Sequence, residues 1–341
     1  MINISYPLMF TPYFKEVIWG GTNLLKLKNV SSEARWKDCD MKIGETWEIS
    51  GLHSHTSKIA NGPLRGLSLN DAVSLMGVDL LGTKGMRHNC GEFPLLVKFI
   101  DSNDQLSIQV HPNDKLASEL HGPMAKGKTE MWYIIDAEPG AYIYCGLKHK
   151  IDEANYREAI ANSTIEQLLV KHEVKSGDVF FIPAGRIHSI GAGCLLAEIQ
   201  QSSDYTYRIY DFNRKDKDGK PRDLHTDYAA RAIVYDDVVA LGRCFDDSLK
   251  ACDDVTKPLV RSDFFNTDLI SLSNETYNLK FQQLETFKIF QCVQGQGTML
   301  DDSGYRIVLS KGTTLLLPAS VEKVTLTANT DSFKVINAYL P

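Results

Sequence analysis

From about Phe93 onward the chain breaks into short apolar runs separated by Gly, Pro, Asp and Asn. Pro94–Ile100, Leu106–Val110, Met131–Ile135, Ala141–Tyr144, Val179–Ile182 and Leu195–Gln200 each read as a strand. Strands this short, at this spacing, predict a sandwich or barrel. A second series follows after about Arg243: Phe287–Val293, Thr298–Leu300, Arg306–Leu309, Thr313–Leu317, Val324–Thr327 and Phe333–Ala338. It predicts a second, smaller barrel. Helical spacing is rarer. Ser68–Leu81 carries apolar positions near a 3.6 period, and Ile151–Val170 has room for two short helices. The second of these starts at the capping-box pattern Ser163-Thr164-Ile165-Glu166. Thr226–Leu241 reads as a helix linking the halves. The expected organisation is mainly β, with residues 1–242 as one domain and 243–341 as the other. The boundary falls in 240–262, where charge and Pro258 coincide.

Composition narrows the class. Among 341 residues, 37 Lys and Arg against 43 Asp and Glu leave a net charge of −6. No basic field exists to hold a nucleic acid, so an anionic ligand must be caught by a few local cations. Seven cysteines, an odd number without any C-x-x-C, argue against a disulfide framework or a cysteine zinc site and favour reduced thiols. The first residues carry no basic leader, and no uncharged apolar run approaches the roughly 18 residues of a membrane span. A cytoplasmic protein without membrane contact is expected. The sequons at Asn29, Asn162 and Asn274 then read as chance matches. The charged stretch Arg214–Asp223 (RKDKDGKPRD) reads as a solvated turn. Oligomeric state leaves no signal.

Two segments carry chemistry. In Ser107-Ile108-Gln109-Val110-His111-Pro112, alternation along a strand puts Gln109 and His111 on one face, with Ile108 and Val110 on the other. Pro112, which has no N–H, ends the strand. In Gly177-Asp178-Val179-Phe180-Phe181-Ile182-Pro183-Ala184-Gly185-Arg186-Ile187-His188, a turn glycine precedes an apolar strand, a Pro-x-Gly turn and a histidine. This G-x5-P-x-G-x2-H spacing resembles the cupin pattern, a small jelly-roll β-barrel holding a metal inside. Glu130, in Lys128-Thr129-Glu130-Met131-Trp132, offers a third ligand. Two imidazoles, a carboxylate and an amide suit a divalent first-row ion, zinc by default, one per chain. One Glu against M²⁺ leaves net positive charge for oxygens that become negative during reaction. In the second half, Gly312 and Pro318 repeat part of the spacing, but Val321 stands in the histidine position. That barrel is expected to be metal-free. His53 and His55 mimic a ligand pair without a following Pro-x-Gly-x-x-His and read as surface. His88, His121, His149, His172 and His225 show no pattern. Gly295-Gln296-Gly297 reads as a hairpin turn.

With Gly44-Glu45-Thr46-Trp47-Glu48-Ile49-Ser50, the stretch Pro94–Asp114, Gly127-Lys128-Thr129-Glu130-Met131-Trp132, the Pro-x-Gly-x-x-His segment and the run from Glu198 through Tyr207-Arg208-Ile209-Tyr210-Asp211 added, the chain resembles the class I mannose-6-phosphate isomerases of the shorter bacterial kind. The resemblance spans essentially the whole chain, and Gln-x-His-Pro-Asn-Asp and Tyr-Arg-x-Tyr-Asp are its specific parts. It implies interconversion of mannose 6-phosphate and fructose 6-phosphate with a bound zinc. It implies His111, Glu130 and His188 as ligands, Gln109 as an additional one, Arg208 as the active-site arginine and Lys128 as the lysine before the ligand Glu. The family often has His-Lys-Pro-Glu where this chain has Gly-Lys-Thr-Glu, so no role carries over for that histidine.

An aldose–ketose isomerase moves a proton between C1 and C2 through an enediolate, which requires a base, a stabilised oxyanion and a grip on the phosphate. Arg208, always charged, suits electrostatic stabilisation. Lys128 suits a base if burial and the metal lower its pKa, with Asp204 and Glu48 as carboxylate alternatives. Lys98, Arg186 and Lys128 are candidate phosphate cations, and Ser107 faces the same cavity as a hydroxyl donor. Two other readings fit the ligand set: an iron-dependent cupin oxygenase, and a sugar-phosphate-binding regulator without catalysis.

Overall fold

The strand Leu95–Ser102 is buried at all eight positions, which means that both faces of its sheet are covered. In this computed structural model, which describes residues 5–30, 42–88, 91–215, 218–240 and 253–341, that strand lies inside a six-stranded antiparallel sheet. The order is Val179–Ile182, Glu130–Ala137, Cys194–Gln201, Leu95–Ser102, Tyr13–Gly21, Ile43–Ile49. Facing it is a five-stranded sheet ordered Tyr207–Tyr210, Ile108–Val110, His188–Ile190, Tyr142–Leu147, Leu169–Glu173. Ile100, Trp132, Ile134 and Leu196 from the first meet Ile143, Cys145 and Ile190 from the second in the interior of this sandwich.

The C-terminal half repeats the plan. A seven-stranded sheet packs on a four-stranded one through Phe290, Leu315, Leu317 and Val335 against Met299, Leu309, Val324 and Leu326. Val321 is buried in this apolar interior. The two sandwiches stack on each other: Val97, Phe99, Met131 and Ile199 on the outer face of the six-stranded sheet join Leu8, Ile289, Leu316 and Ile336 of the seven-stranded sheet. Helices cover the remaining outer face. Leu116, Tyr156, Ala159 and Ala229 pack on Ile108, Val110, Tyr207 and Ile209 of the five-stranded sheet.

The mainly-β cupin-type fold is the one expected, and the strands listed from the apolar runs all appear with ends shifted by a few residues. Several elements differ. Ser68–Leu81 contains a break: Ser68 caps Leu69–Met76 by accepting from Asp71 N, Gly77 turns at φ 52°, and a second helix runs Val78–His88. Inside that helix Gly82, at φ 73°, lies so near the Glu285 backbone that a Cβ would come within 2.6 Å of it. The pattern at Ser163 forms no capping box. Thr164 makes no side-chain cap, only the 3-10 turn Ile165–Leu168 follows, and Leu169–Glu173 is drawn into the sheet beside Tyr142–Leu147. The capping box belongs to Asp152 and Asn155, at the start of Glu153–Ala161. The linking helix is only Thr226–Ala232. Gly295 is no hairpin turn, since the strands either side of it, Lys288–Gln294 and Gln296–Asp301, lie in different sheets. Pro258 sits within the edge strand Thr256–Arg261, beside a register shift, where a missing N–H is tolerated.

The expected boundary at 242/243 lies outside the described residues. Leu8–Thr11 pairs with Thr314–Leu317, so the N-terminal segment completes the C-terminal sheet. The buried Lys28 ammonium reaches both Glu48 and the Gly312 carbonyl, and Gln291 Nε2 donates to the Lys98 carbonyl at 3.0 Å. The second sandwich is thereby tied to the strands that carry the cavity.

Candidate metal centre and substrate cavity

Two rows of side chains, one from each sheet, face each other across the N-terminal sandwich. Strand register places Trp47, Lys98, Glu198 and Trp132 side by side on the six-stranded sheet. On the five-stranded sheet it places Arg208, Gln109 and His188 side by side. Neighbours across antiparallel strands share a face, so both rows point inward.

Local sequence explains how the histidines join them. The strand Ile108–Val110 stops before His111 and Pro112, with Ile108 and Val110 in the helical layer and Gln109 on the cavity. Asn113 caps Asp114–His121 by accepting from Leu116 N at 2.9 Å. The Pro112 carbonyl accepts from Lys128 N at 3.0 Å, which sets the segment bearing Lys128 and Glu130 beside His111. In the Pro-x-Gly turn Gly185 adopts φ 90° and its N–H donates to the His111 carbonyl at 2.9 Å. The same turn that swings His188 inward is thus pinned to the other histidine.

His111, Glu130 and His188 are buried, and their ligand atoms lie within 4.8 Å of one another. His111 Nδ1 donates to the Tyr205 carbonyl and His188 Nδ1 to the Arg186 carbonyl, each at 2.9 Å. These bonds select the tautomer whose Nε2 lone pair points at Glu130. His111 Nε2 is 3.4 Å from Glu130 Oε1, and His188 Nε2 is 3.8 Å from Oε2. Burial, reinforced by Lys128, pushes the His111 pKa down; burial and His111 push that of His188 down to about 3. Burial opposes ionisation of Glu130, yet the Lys128 ammonium outweighs it and holds its carboxyl well below the usual range. Two neutral imidazoles and a carboxylate therefore turn lone pairs toward one point. His111 Nε2 and Glu130 Oε2 find no hydrogen-bond partner among the described residues, and Glu130 Oε1 meets the Lys128 ammonium. Buried acceptors left unpaired against one another are costly, and a divalent cation would satisfy them. The donor set fits a metal. Gln109 Nε2 donates to His188 Nε2 at 3.3 Å, and with its amide turned over Oε1 would join the set.

A cavity of about 350 Å³ adjoins this cluster through Lys128 and Gln109, a size suited to a small polar substrate. Lys15, Lys98, Lys128, Arg208 and Arg222 line it, with Glu45, Glu198 and Asp204. Ser107, Gln109, Trp47 and Trp132 complete much of the wall. Lys128 Nζ is 2.9 Å from Glu130 Oε1. Lys98 is shared between Glu45 at 3.3 Å and Glu198 at 3.0 Å. Trp47 Nε1 donates to Glu45 at 2.7 Å and Trp132 Nε1 to Glu198 at 2.8 Å. Burial opposes the Lys98 charge, but Glu198 and Glu45 overcome it and raise its pKa. Burial and the Glu130 charge raise the Glu198 carboxyl, against the pull of Lys98 and Lys128. Arg208 is fixed by Nη1 donating to the Asp223 carbonyl at 2.7 Å and by its backbone N–H donating to His225 Nδ1 at 3.2 Å.

The structure thus brings His111, Glu130, His188, Gln109, Lys128, Arg208, Ser107, Lys98 and Asp204 together. It does not bring Arg186 or Glu48. The Arg186 guanidinium is spent on Asp237, with two contacts of 2.7 Å, and on the Phe181 carbonyl. Glu48 follows Trp47 on the opposite face of its strand and pairs with Lys28. Three residues escaped sequence reasoning. Glu198 and Glu45 are charged positions within otherwise apolar strands, a signal that was legible. Arg222 comes from the stretch read as a solvated turn, and the structure corrects that reading: Asp211 draws Arg214 and Arg222 back against the sandwich. His121, stacked at 4.1 Å on Tyr205, buttresses the loop whose carbonyl holds His111. His53 and His55 are exposed, as expected. Among the described residues no helix is long and apolar enough to cross a membrane.

Comparison with known proteins agrees with this geometry. The family model of the type I phosphomannose isomerase catalytic domain matches residues 8–163, and that of the mannose-6-phosphate isomerase cupin domain matches 255–337. Mannose-6-phosphate isomerase of Streptococcus mutans is 35% identical over 324 residues, 94% of each chain. Mannose-6-phosphate isomerase ManA of Bacillus subtilis is 33% identical over 317 residues, 92% of this chain and 93% of the relative. A crystal structure of the mannose 6-phosphate isomerase from Bacillus subtilis superposes with a TM-score of 0.82 at 31% identity, covering 97% of this chain and 99% of the other. The chain belongs to the type I phosphomannose isomerase family, whose reaction is the aldose–ketose isomerisation of mannose 6-phosphate.

Proposed function

We propose that the chain interconverts mannose 6-phosphate and fructose 6-phosphate with one zinc ion held by His111, Glu130 and His188, and by Gln109 as a fourth donor. The observation that carries this reading is the convergence of buried lone pairs from two imidazoles and one carboxylate, of which His111 Nε2 and Glu130 Oε2 find no hydrogen-bond partner among the described residues. Nitrogen and carboxylate donors in that number suit zinc. When bound, the ion supplies fixed positive charge beside the substrate oxygens.

The chain's own groups do the rest. A proton leaves C2 of the open-chain aldose and its electron pair forms the C1–C2 double bond of an enediolate as the C1 oxygen becomes negative; the O2 hydroxyl proton passes to O1, and a proton returns at C1 as O2 becomes the ketone carbonyl. Arg208 places a permanent charge beside Gln109, two strands from His188, where it stabilises the developing oxyanion. Lys128 is committed to an ion pair with Glu130, which suits it to hold substrate oxygen better than to remove a proton. Glu198 is better suited as the proton carrier: its carboxyl faces the cavity, burial raises its pKa, and Trp132 fixes its orientation. Ser107 offers a hydroxyl to the sugar. A cytoplasmic setting accords with Cys145, Cys194 and Cys292 being free thiols.

Glu198→Gln tests the proton assignment. A group that must be ionised to accept a proton gives an activity that climbs as pH rises through its pKa. The variant is expected to keep its metal, lose roughly 10²–10⁴-fold in kcat, and lose the acid limb of the kcat/KM profile. Wild-type turnover with an unchanged profile would remove Glu198 from the chemistry.

A further inference from the structure

Positive charge is distributed unevenly around the cavity. Its three lysines are matched by carboxylates: Lys15 by Glu45, Lys98 by Glu45 and Glu198, and Lys128 by Glu130. The two arginines are not matched in this way. Arg208 Nη1 meets only a neutral carbonyl, and its Nε is buried without an acceptor among the described residues. Arg222 donates through Nε to Asp211 Oδ2 at 2.7 Å and through Nη2 to Oδ1, but Asp211 also accepts from Arg214 at 2.6 Å. One buried carboxylate thus serves two guanidinium groups, with the outlying Asp104 touching only Arg214, at 3.5 Å. Burial and the Arg222 charge press the Arg208 pKa down, against the pull of Asp211 and Asp223. Cations crowded in this way are stabilised by an anion placed between them.

Position supports the same reading. Arg208 is two strands from His188 on the shared row, roughly 10 Å at the usual strand spacing. The positive end of the cavity therefore lies away from the histidines, on the side where the far end of a sugar phosphate would extend. Asp211 engages the Nε and Nη2 edge of Arg222, which fixes the plane of the guanidinium. A planar fork held in one orientation suits recognition of phosphate oxygens.

We propose that Arg222, oriented by Asp211 and standing beside Arg208, grips the phosphate of the substrate and selects the phosphorylated sugar. The inference rests on the cavity being the mannose 6-phosphate site and adds the residue that distinguishes this substrate from free mannose.

The test uses inorganic phosphate as a competitive inhibitor of the purified, metal-loaded enzyme, with R222Q and R222K as variants. In R222Q the phosphate Ki and the KM for mannose 6-phosphate should rise together by about 10–100-fold, the range for one charged hydrogen-bonding group. Bound metal should be unchanged, and kcat should fall far less than kcat/KM. R222K, which keeps the charge and loses the fork, should fall between R222Q and the wild type. A phosphate Ki unchanged in R222Q, with the wild type still isomerising mannose 6-phosphate, overturns the clamp alone. A fall in kcat at constant KM overturns it equally, because it assigns Arg222 to the chemistry or to the fold. A wild type inactive on mannose 6-phosphate would instead sink the reading beneath it.

Discussion

Replacing His188 by Ala is expected to empty the metal site and to cut isomerase turnover by more than about 100-fold, the upper end for losing even an outer partner of a metal ligand. The side chain has no second role that would survive. Its Nδ1 is occupied by the Arg186 carbonyl, and its Nε2 is turned toward Glu130 and Gln109. Removing the ring leaves the Glu130 carboxylate buried with one fewer counterpart, so weaker metal binding and some loss of stability are both anticipated. Metal content measured on the purified variant, beside the coupled isomerase assay, checks the result. Full metal content in His188→Ala would contradict its assignment as a ligand.

Arg208→Ala is the second large effect. The guanidinium is anchored by the Asp223 carbonyl, and the His225 ring accepts from the Arg208 backbone N–H, so neither anchor involves His111, Glu130 or His188. The variant should therefore retain its metal while turnover falls by roughly 10²-fold or more, the scale for removing one preorganised charge from an oxyanion site. Near-normal kcat with normal metal content would take Arg208 out of the chemistry. Loss of metal would show that its part is structural.

What could be read from sequence divides along a physical line. Gln109, His111, Glu130 and His188 lie in short segments whose alternation and turns fix their direction locally, so their convergence was legible. The cavity wall was not, because it depends on register between distant strands. Lys98 meets Glu198 across 100 positions of chain, and nothing near either residue announces the pairing. Glu48 and Glu45 show how sensitive the outcome is: three residues apart on one strand, they face opposite sides, so Glu45 lines the cavity and Glu48 joins the inter-sandwich contact with Lys28. Arg186 adjoins a ligand in sequence yet points to Asp237, while Arg222, 34 positions beyond His188, reaches the cavity because Asp211 holds it. The strands Leu8–Thr11, Tyr13–Gly21 and Ile43–Ile49 were also missed, and they complete sheets whose other members come much later in the chain. The oxygenase and regulator alternatives, open on the ligand set alone, give way to the isomerase once the whole chain aligns with that family.

The central claim is that a single cation, held by two imidazoles and one carboxylate, is what the isomerase needs. Stepwise addition of Zn²⁺ to the metal-stripped protein, with mannose 6-phosphate turnover followed at each step, tests it most directly. The account predicts no turnover at the start, a linear rise, and a plateau at one equivalent per chain. Full turnover before any metal is added, or a rise that continues to two equivalents, would contradict it.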